Sequence, residues 1–318
     1  MAKPILSAKH FHDEEAAYAY VEARVWRQGP VCPHCGGVER IGKLAGKSTR
    51  IGVYKCYQCR KPFSVKVKTI LEDSHVPMHL WLQVMHFLCS GKKDISSNQL
   101  HRTLGVTLKT AWFMSHRIRE AMRSGSLSPM GGGNGVHGIV EADETFIGTE
   151  PDAKKRRGYA HKMKVLSLVD RETGQARSMV VDYLSAKTLV PILQENIAKE
   201  ASVMTDEAGQ YGSLGEKFIE HQTVAHSQDE YVRGIVHTNT VEGYFSVFKR
   251  GMKGVYQHCG KQHLHRYLAE FDFRYNNRVA LGVNDVMRAD AALEGDQGQE
   301  ADLPLGLTRN RQPKPNQR

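Results

Sequence analysis

The sequence predicts an α/β chain in three parts: a small cysteine-bound ribbon, a helical segment and a larger α/β domain. Three observations carry this. Two C-x-x-C pairs, Cys32/Cys35 and Cys56/Cys59, stand 20 residues apart near the N-terminus. Apolar residues then recur at helical spacing through residues 76–122. Beyond the run Gly131-Gly132-Gly133-Asn134-Gly135 they fall into short strand-like stretches alternating with helical ones.

The elements follow in order. Residues 13–26 have helical periodicity, with Ala17, Tyr20, Val21, Ala23 and Val25 on one side, and Gly29-Pro30 ends them. Residues 31–69 are short strand-like pieces, glycine turns and basic side chains. Residues 76–90 read as a helix with Leu80, Val84, Phe87 and Leu88 inward, and 95–104, Gly105 and 107–122 as helix, turn, helix. The glycine run reads as a flexible linker at the main boundary. Strands are expected at 136–143, 164–170, 176–182 and 201–205, with a further candidate at 220–225. Helices are expected at 186–199, 239–252 and 263–278. The expected parts are therefore residues 1–30 (helix), 31–70 (ribbon), 71–130 (helical segment), 136–295 (α/β domain) and 296–318, a polar tail whose composition predicts disorder.

A chain of 318 residues with 40% hydrophobic content can bury a substantial core in two or three domains. The net charge of +10 favours a polyanionic partner, nucleic acid first and an anionic membrane surface second. No apolar run approaches the roughly 18 residues that span a bilayer, and residues 1–15 lack the apolar core of a secretion signal. The expected location is the cytoplasm, where six cysteines are not a disulfide framework.

The two C-x-x-C knuckles instead suit a tetrahedral four-thiolate zinc site, Cys32, Cys35, Cys56 and Cys59. A redox role needs one pair rather than two at this spacing. Four sulfurs leave no position for water, so the zinc is structural, and it contributes the folding free energy of a ribbon with little core. Lys55, Arg60, Lys61, Lys66 and Lys68 surround the second knuckle with Tyr54, Tyr57 and Phe63 among them. That mixture suits a DNA backbone; the plainer reading is a solvated basic face. Cys89 reads as core and Cys259 as a free thiol, and His34 as exposed rather than a ligand.

Ser96-Ser97-Asn98-Gln99 opens a helix with capping residues, and Leu100, Leu104, Val106, Ala111 and Met114 have the apolar spacing of a helix-turn-helix core. The second helix carries Lys109, His116, Arg117 and Arg119, with Lys109 and Arg117 as candidate DNA contacts. An ordinary helical hairpin is the alternative.

Three acids stand out. Asp143 follows the strand-like Ile139-Val140-Glu141-Ala142, Asp206 follows Val203-Met204-Thr205, and Glu242 lies early in a helix. Carboxylates converging from strand ends and a facing helix repel one another unless cations sit between them. Magnesium, or manganese, takes such oxygen ligands, and two ions about 4 Å apart can activate an attacking oxygen and stabilise a leaving one at a phosphodiester. Between Asp206 and Glu242 lie 35 residues, and Lys249 is seven past Glu242, two helical turns on and on the same face. Lys249 can therefore reach a phosphate. Glu144 and Glu207 adjoin the aspartates, but neighbours on a strand face opposite ways, so one of each pair enters the site. Asp170 and Asp182 read as turn or solvated residues, and His237 as structural or a contact to the leaving strand.

This pattern resembles the DDE transposases and integrases, which share the ribonuclease H-like fold. Glu141-Ala142-Asp143-Glu144-Thr145-Phe146-Ile147-Gly148 resembles the first-carboxylate motif of bacterial insertion-sequence transposases with an N-terminal zinc ribbon, relatives of the Merlin elements. Thr205-Asp206-Glu207-Ala208 is similar to their second motif. His237-Thr238-Asn239-Thr240-Val241-Glu242-Gly243 with Phe248-Lys249-Arg250 is similar to the third, and 267–278 to the helix after it. The resemblance implies catalytic Asp143, Asp206 and Glu242 on magnesium; in some members asparagine is the third residue, which makes Asn239, one turn before Glu242, the alternative. It also implies cleavage at terminal inverted repeats, strand transfer into target DNA without a covalent enzyme intermediate, a homodimer or larger synaptic assembly, and a place at the bacterial nucleoid rather than a membrane.

Lys154, Lys155, Arg156 and Arg157 form a basic loop just past Asp143, a candidate DNA contact, as are Lys249 and Arg250; Lys162, Lys164, Lys253, Arg266 and Arg274 extend the charge. The rival readings are a non-catalytic DNA-binding regulator with a decayed domain, against which all three acids are present, and a metal-dependent repair nuclease with no mobile element.

Overall fold

A computed structural model describes residues 3–91, 94–123, 128–132, 137–151, 153–154, 157–228 and 232–295. The first helix, α1 (Glu14–Val25), begins where the Asp13 carboxylate accepts from the Ala16 N–H at 2.8 Å. Three short antiparallel strands follow, β1 (Ile41–Lys43), β2 (Tyr54–Cys56) and β3 (Pro62–Phe63). Next comes α2 (Met78–Ser90), whose cap residue Pro77 carries no side-chain acceptor. Glu14 supplies one from α1, accepting from the N–H groups of Met78 (2.7 Å) and His79 (3.2 Å). Helices α3 (Ser97–Leu104) and α4 (Leu108–Ala121) are joined through Gly105, whose φ of 66° needs glycine. Ser96 and Thr107 cap them, and Leu100, Ala111, Met114 and Ile118 are buried between them and α2.

The second half is built on a mixed five-stranded sheet. Its strands are β4 (Ile139–Ile147), β5 (Met163–Asp170), β6 (Ala176–Val181), β7 (Ser202–Asp206) and β8 (Glu220–Val224), in the order β6-β5-β4-β7-β8. A tight turn joins β5 to β6, in which Asp170 accepts from the N–H groups of Glu172 (2.9 Å) and Thr173 (3.1 Å) and Gly174 takes φ 64°. That makes β4, β5 and β6 antiparallel, whereas α5 (Ala186–Asn196) crosses over to bring β7 parallel to β4. Val140, Ala142, Leu166, Leu168 and Val203 pack on the α5 side. Val165 and Val169 pack on the other side against α6 (Asn239–Gly251) and α7 (Lys261–Asn276).

Four findings depart from the sequence expectation. First, β4 runs on to Ile147, so Asp143 lies within the strand rather than after it. Second, Gly131 is no loose joint: it is buried and its N–H donates to Asp170 at 3.1 Å, with Met130 in the sheet's core; residues 133–135 of the expected linker and 136 of the expected strand lie outside the described residues, as does the tail 296–318. Third, the sequence reading passed over α8 (Asp285–Glu294), which returns to the N-terminal half and buries Ala292 and Leu293 in the α1–α2–α4 cluster. Fourth, several cations expected on the surface hold the halves together. Arg119 of α4 is fully buried, donates to Glu270 of α7 at 2.5 Å and lies between the rings of Tyr256 and Tyr267. Arg266 pairs with Glu120, Arg274 with Asp94, and His116 is buried beside Tyr267.

The Arg119–Glu270 pair yields a direct test. Glu270→Gln leaves a guanidinium charge with no exposed surface and no counter-ion, so it should cost about 3–5 kcal/mol. Denaturant unfolding measures this; a variant as stable as the parent contradicts the role of the pair.

Candidate functional site

Two clusters were expected, and the structure treats them differently. In the ribbon, the turn after Cys32 is closed by the Gly36 N–H donating to the Cys32 carbonyl at 2.8 Å, with Gly36 at φ 71°. The two knuckles meet with Sγ–Sγ distances of 3.7 Å for Cys32–Cys59 and for Cys35–Cys56, and all four sulfurs lie within 4.8 Å of one another. A tetrahedral zinc with Zn–S bonds near 2.3 Å has sulfur–sulfur edges of about 3.8 Å, so the set fits that ion. The protein core beneath is small: Cys32, Cys56 and Phe63, with Trp26 and Tyr54 against them. Of the surrounding cations, Arg60, Lys61 and Lys68 are exposed. Lys66 is half-buried and its ammonium faces the carbonyls of Ser74 (3.4 Å) and Val76 (3.5 Å), which takes it off the expected DNA face.

The acids are placed by the sheet. Parallel β4 and β7 pair from Ile139↔Ser202 to Glu141↔Met204, and Asp143 and Asp206 each stand two residues beyond the last pair. By the strand period both side chains share the face that α6 covers. Glu242 lies on the first turn of α6, and it and Asp206 both act electrostatically on Asp143. Burial, then the charges of Glu144, Asp206 and Glu242, push the Asp143 carboxyl up to about 7. Lys249 completes the group. Burial lowers its pKa, Asp143 and Glu242 oppose that, and Lys253 and Lys162 add to it, so three lysines border the acids. The acids are hard oxygen donors suited to magnesium, but they are not drawn together as the sulfurs are. Among the described residues, only the four cysteines form a group with ligand atoms within 4.8 Å.

The neighbouring candidates separate. Glu144 points to the opposite face, where Gln210 donates to it at 3.2 Å. Glu207 accepts from the N–H and hydroxyl of Ser227, both at 2.9 Å. Asp182 pairs with Lys261 at 2.7 Å. Asn239 is exposed at the start of α6, one turn before Glu242, which is also exposed. Arg250 is exposed and donates to Ser246 at 3.2 Å. Lys109, Lys154 and Arg157 are exposed, while Lys155 and Arg156 lie outside the described residues. Arg117 is turned inward, donating to the carbonyls of Ile70 (2.7 Å) and Glu72 (2.6 Å) over the Phe113 ring, and so ties that loop to α4.

Sequence reasoning missed Glu141 and Arg171. Glu141 is fully buried between β4 and the N-terminus of α6, paired with Arg171 at 2.5 Å. The available signal was its place two residues before Asp143: the strand period puts it on the same covered face, where an acid needs partners.

Comparison with known proteins agrees with the layout. Residues 135–276 match the ISXO2-like transposase domain, and residues 12–62 match the transposase zinc-ribbon domain. The chain is 26% identical over 286 residues to a protein in transposable element ISH50 of Halobacterium salinarum, covering 85% of this chain and 93% of that one. A simian T-cell lymphotropic virus intasome, solved in complex with the PP2A regulatory subunit B56 gamma, contains a chain that matches at 13% identity with a TM-score of 0.28; the match covers 54% of this chain and 63% of the viral one. That score is too low for a shared fold to follow from it.

The electrostatics predict a pH dependence. The folded Asp143 keeps its proton up to about 7, well above the ordinary 3.8, so folding without added magnesium takes up a proton. Stability should therefore fall as pH rises from about 4 through about 7. Asp143→Asn removes the fall and should raise the melting temperature at pH 8 by several degrees. Thermal unfolding at pH 5 and pH 8 without added magnesium measures it; an Asn variant no more stable than the parent at pH 8 contradicts the burial of a repelled carboxylate.

Proposed function

From a chain that carries an IS1595-type DDE transposase domain behind a transposase zinc ribbon, we propose that the protein cuts DNA at the ends of a mobile element and joins those ends to target DNA. What carries this reading is that Asp206, near the end of the strand parallel to β4, and Glu242, on the first turn of α6, both act electrostatically on Asp143, while Asp143 and Glu242 act on Lys249. A central first strand with an antiparallel hairpin on one side and parallel strands on the other supports a ribonuclease H-like reading of the sheet.

Asp143, Asp206 and Glu242 would hold magnesium or manganese, with Asn239 in reserve as the third ligand. When bound, two such ions supply the positive charge that favours an attacking oxyanion and offsets charge on the leaving oxygen. The chain's own groups do the rest. The covered face of β4 and β7 half-buries Asp143 and Asp206, while Glu242 stays open to solvent and to DNA. Lys249, Lys162 and Lys253 hold the phosphate backbone beside them. Water attacks the phosphodiester, the P–O3′ bond breaks, and the element keeps a 3′-hydroxyl while the flank keeps a 5′-phosphate. That hydroxyl loses its proton and attacks a target phosphodiester in line, releasing a second 3′-hydroxyl. No covalent link to the protein forms.

Zinc on the four cysteines would be structural. The α3–Gly105–α4 unit, with Ser96 and Thr107 as caps and Lys109 exposed, supports a helix-turn-helix contact to the terminal repeats. Lys154, Arg157 and Arg250 extend the basic path. In domain terms we read residues 31–70 as the ribbon, 71–130 as the helical segment and 136–295 as the sheet domain, with α8 of the last packed on the second. Joining two ends in one event calls for a dimer or larger assembly. Among the described residues no helix is long and apolar enough to cross a membrane.

Cleavage of DNA bearing the element's ends, with magnesium, tests the reading. Asp143→Asn and Asp206→Asn should each lower the rate about a thousandfold or more, because a lost ligand removes several kcal/mol of charge stabilisation. Glu242→Gln should do the same and Asn239→Ala much less. Full activity in Glu242→Gln with none in Asn239→Ala exchanges the third ligand; retained activity in Asp143→Asn sinks the mechanism.

A further inference from the structure

We infer that Glu141, which is not one of the converging acids, is the positioning residue that fixes Glu242 against Asp143. The inference rests on the proposed site, but concerns a residue outside its ligand set. Glu141 sits two residues before Asp143 on β4, on the same face, with no exposed surface. One oxygen accepts from the N–H groups of Thr240 (2.8 Å) and Val241 (2.9 Å), and the other from the Thr240 hydroxyl (2.7 Å) and Arg171 Nε (2.5 Å). Thr240 and Val241 are the second and third residues of α6, and Glu242 is the next. Their N–H groups have no partner within the helix, and its own cap residue, Thr238, makes no side-chain capping bond. The strand that carries one proposed ligand therefore supplies the cap of the helix that carries another.

Arg171 does the same for the approach to the helix. Its remaining nitrogens donate to the carbonyls of Ile235 (2.6 Å) and His237 (2.6 Å), and His237 Nδ1 lies 3.2 Å from Glu141. The Arg171 guanidinium both neutralises Glu141 and sets the path of residues 235–238. Glu141 on β4, with Thr240 and Val241 on α6, thus sets the separation of the backbones that carry Asp143 and Glu242. Side-chain rotation of Glu242, which accepts from the Thr238 hydroxyl at 3.3 Å, is the freedom left.

A merely structural role and a positioning role differ in what they move. Glu270 provides the control: it is an equally buried acid paired with arginine, placed between α4 and α7. Binding of Mn2+ to the full chain with its ribbon zinc in place is followed by paramagnetic resonance or calorimetry, alongside melting temperature, for the parent, Glu141→Gln and Glu270→Gln. Both variants should melt lower. Glu141→Gln should weaken Mn2+ binding at least tenfold, whereas Glu270→Gln should hold it within threefold of the parent. Equal Mn2+ affinity in the two variants overturns the inference. Arg171→Lys keeps the charge beside Glu141 but loses the fork to residues 235 and 237. It carries the same test if Glu141→Gln does not fold: a fall of at least threefold supports positioning, and parent-like binding overturns it. A parent chain that binds no Mn2+ rejects the proposed site itself, and this inference with it.

Discussion

The hydrogen bonds from the first turn of α6 to Glu141 join the backbones that carry Glu242 and Asp143. A carboxylate with no exposed surface is tolerable only when its charge is matched and its lone pairs are used. Here Arg171 supplies the charge and the helix terminus supplies the donors, whose partial positive charge favours an anion in its own right. Because β4 is the middle strand, flanked by β5 and β7, it is also the least free to move. Asp143 inherits that rigidity directly, Asp206 through the parallel register, and Glu242 through Glu141.

The same logic of paired buried charge recurs where the N-terminal half meets the sheet domain. Helix α4 turns one side toward the open, with Lys109 and the rings of Trp112 and Phe113 exposed, and fixes its other side to α7 through Arg119 and Glu270. A DNA segment held by α3 and α4 would therefore be held at a fixed place relative to the acids. Helix α8 strengthens the connection by packing on α2 from the far end of the chain. The ribbon has no comparable buried charge and little apolar core, and its cohesion falls to the four sulfurs.

The sequence carried the parts of this whose chemistry is local. Cysteine pairs at knuckle spacing, capping residues before helices and a turn of Glu172-Thr173-Gly174 each act within a few residues, and each element appears within a few residues of its expected place. The candidate acids stood out through order and spacing. What was not legible depends on partners distant in the chain. Arg119, Arg266 and Arg274 looked like surface charge because Glu270, Glu120 and Asp94 are not their sequence neighbours; Arg117 and Lys66 looked free because backbone carbonyls carry no sequence signature. Gly131 read as a joint because a glycine run signals freedom, whereas its N–H is held by Asp170. The end of β4 was set too early because Asp143 and Glu144 are polar, and a strand that carries a polar site cannot be told by pattern from one that has ended.

The central claim is that Asp143, Asp206 and Glu242 form one cation site facing DNA. Anomalous diffraction from crystals of the chain with element-end DNA and Mn2+ measures this most directly. The account predicts manganese peaks enclosed by these three carboxylates, with oxygens at about 2.1 Å and the phosphate to be cut beside Lys249. Peaks ligated instead by Glu144 or Glu207, or none near Asp143, would contradict it.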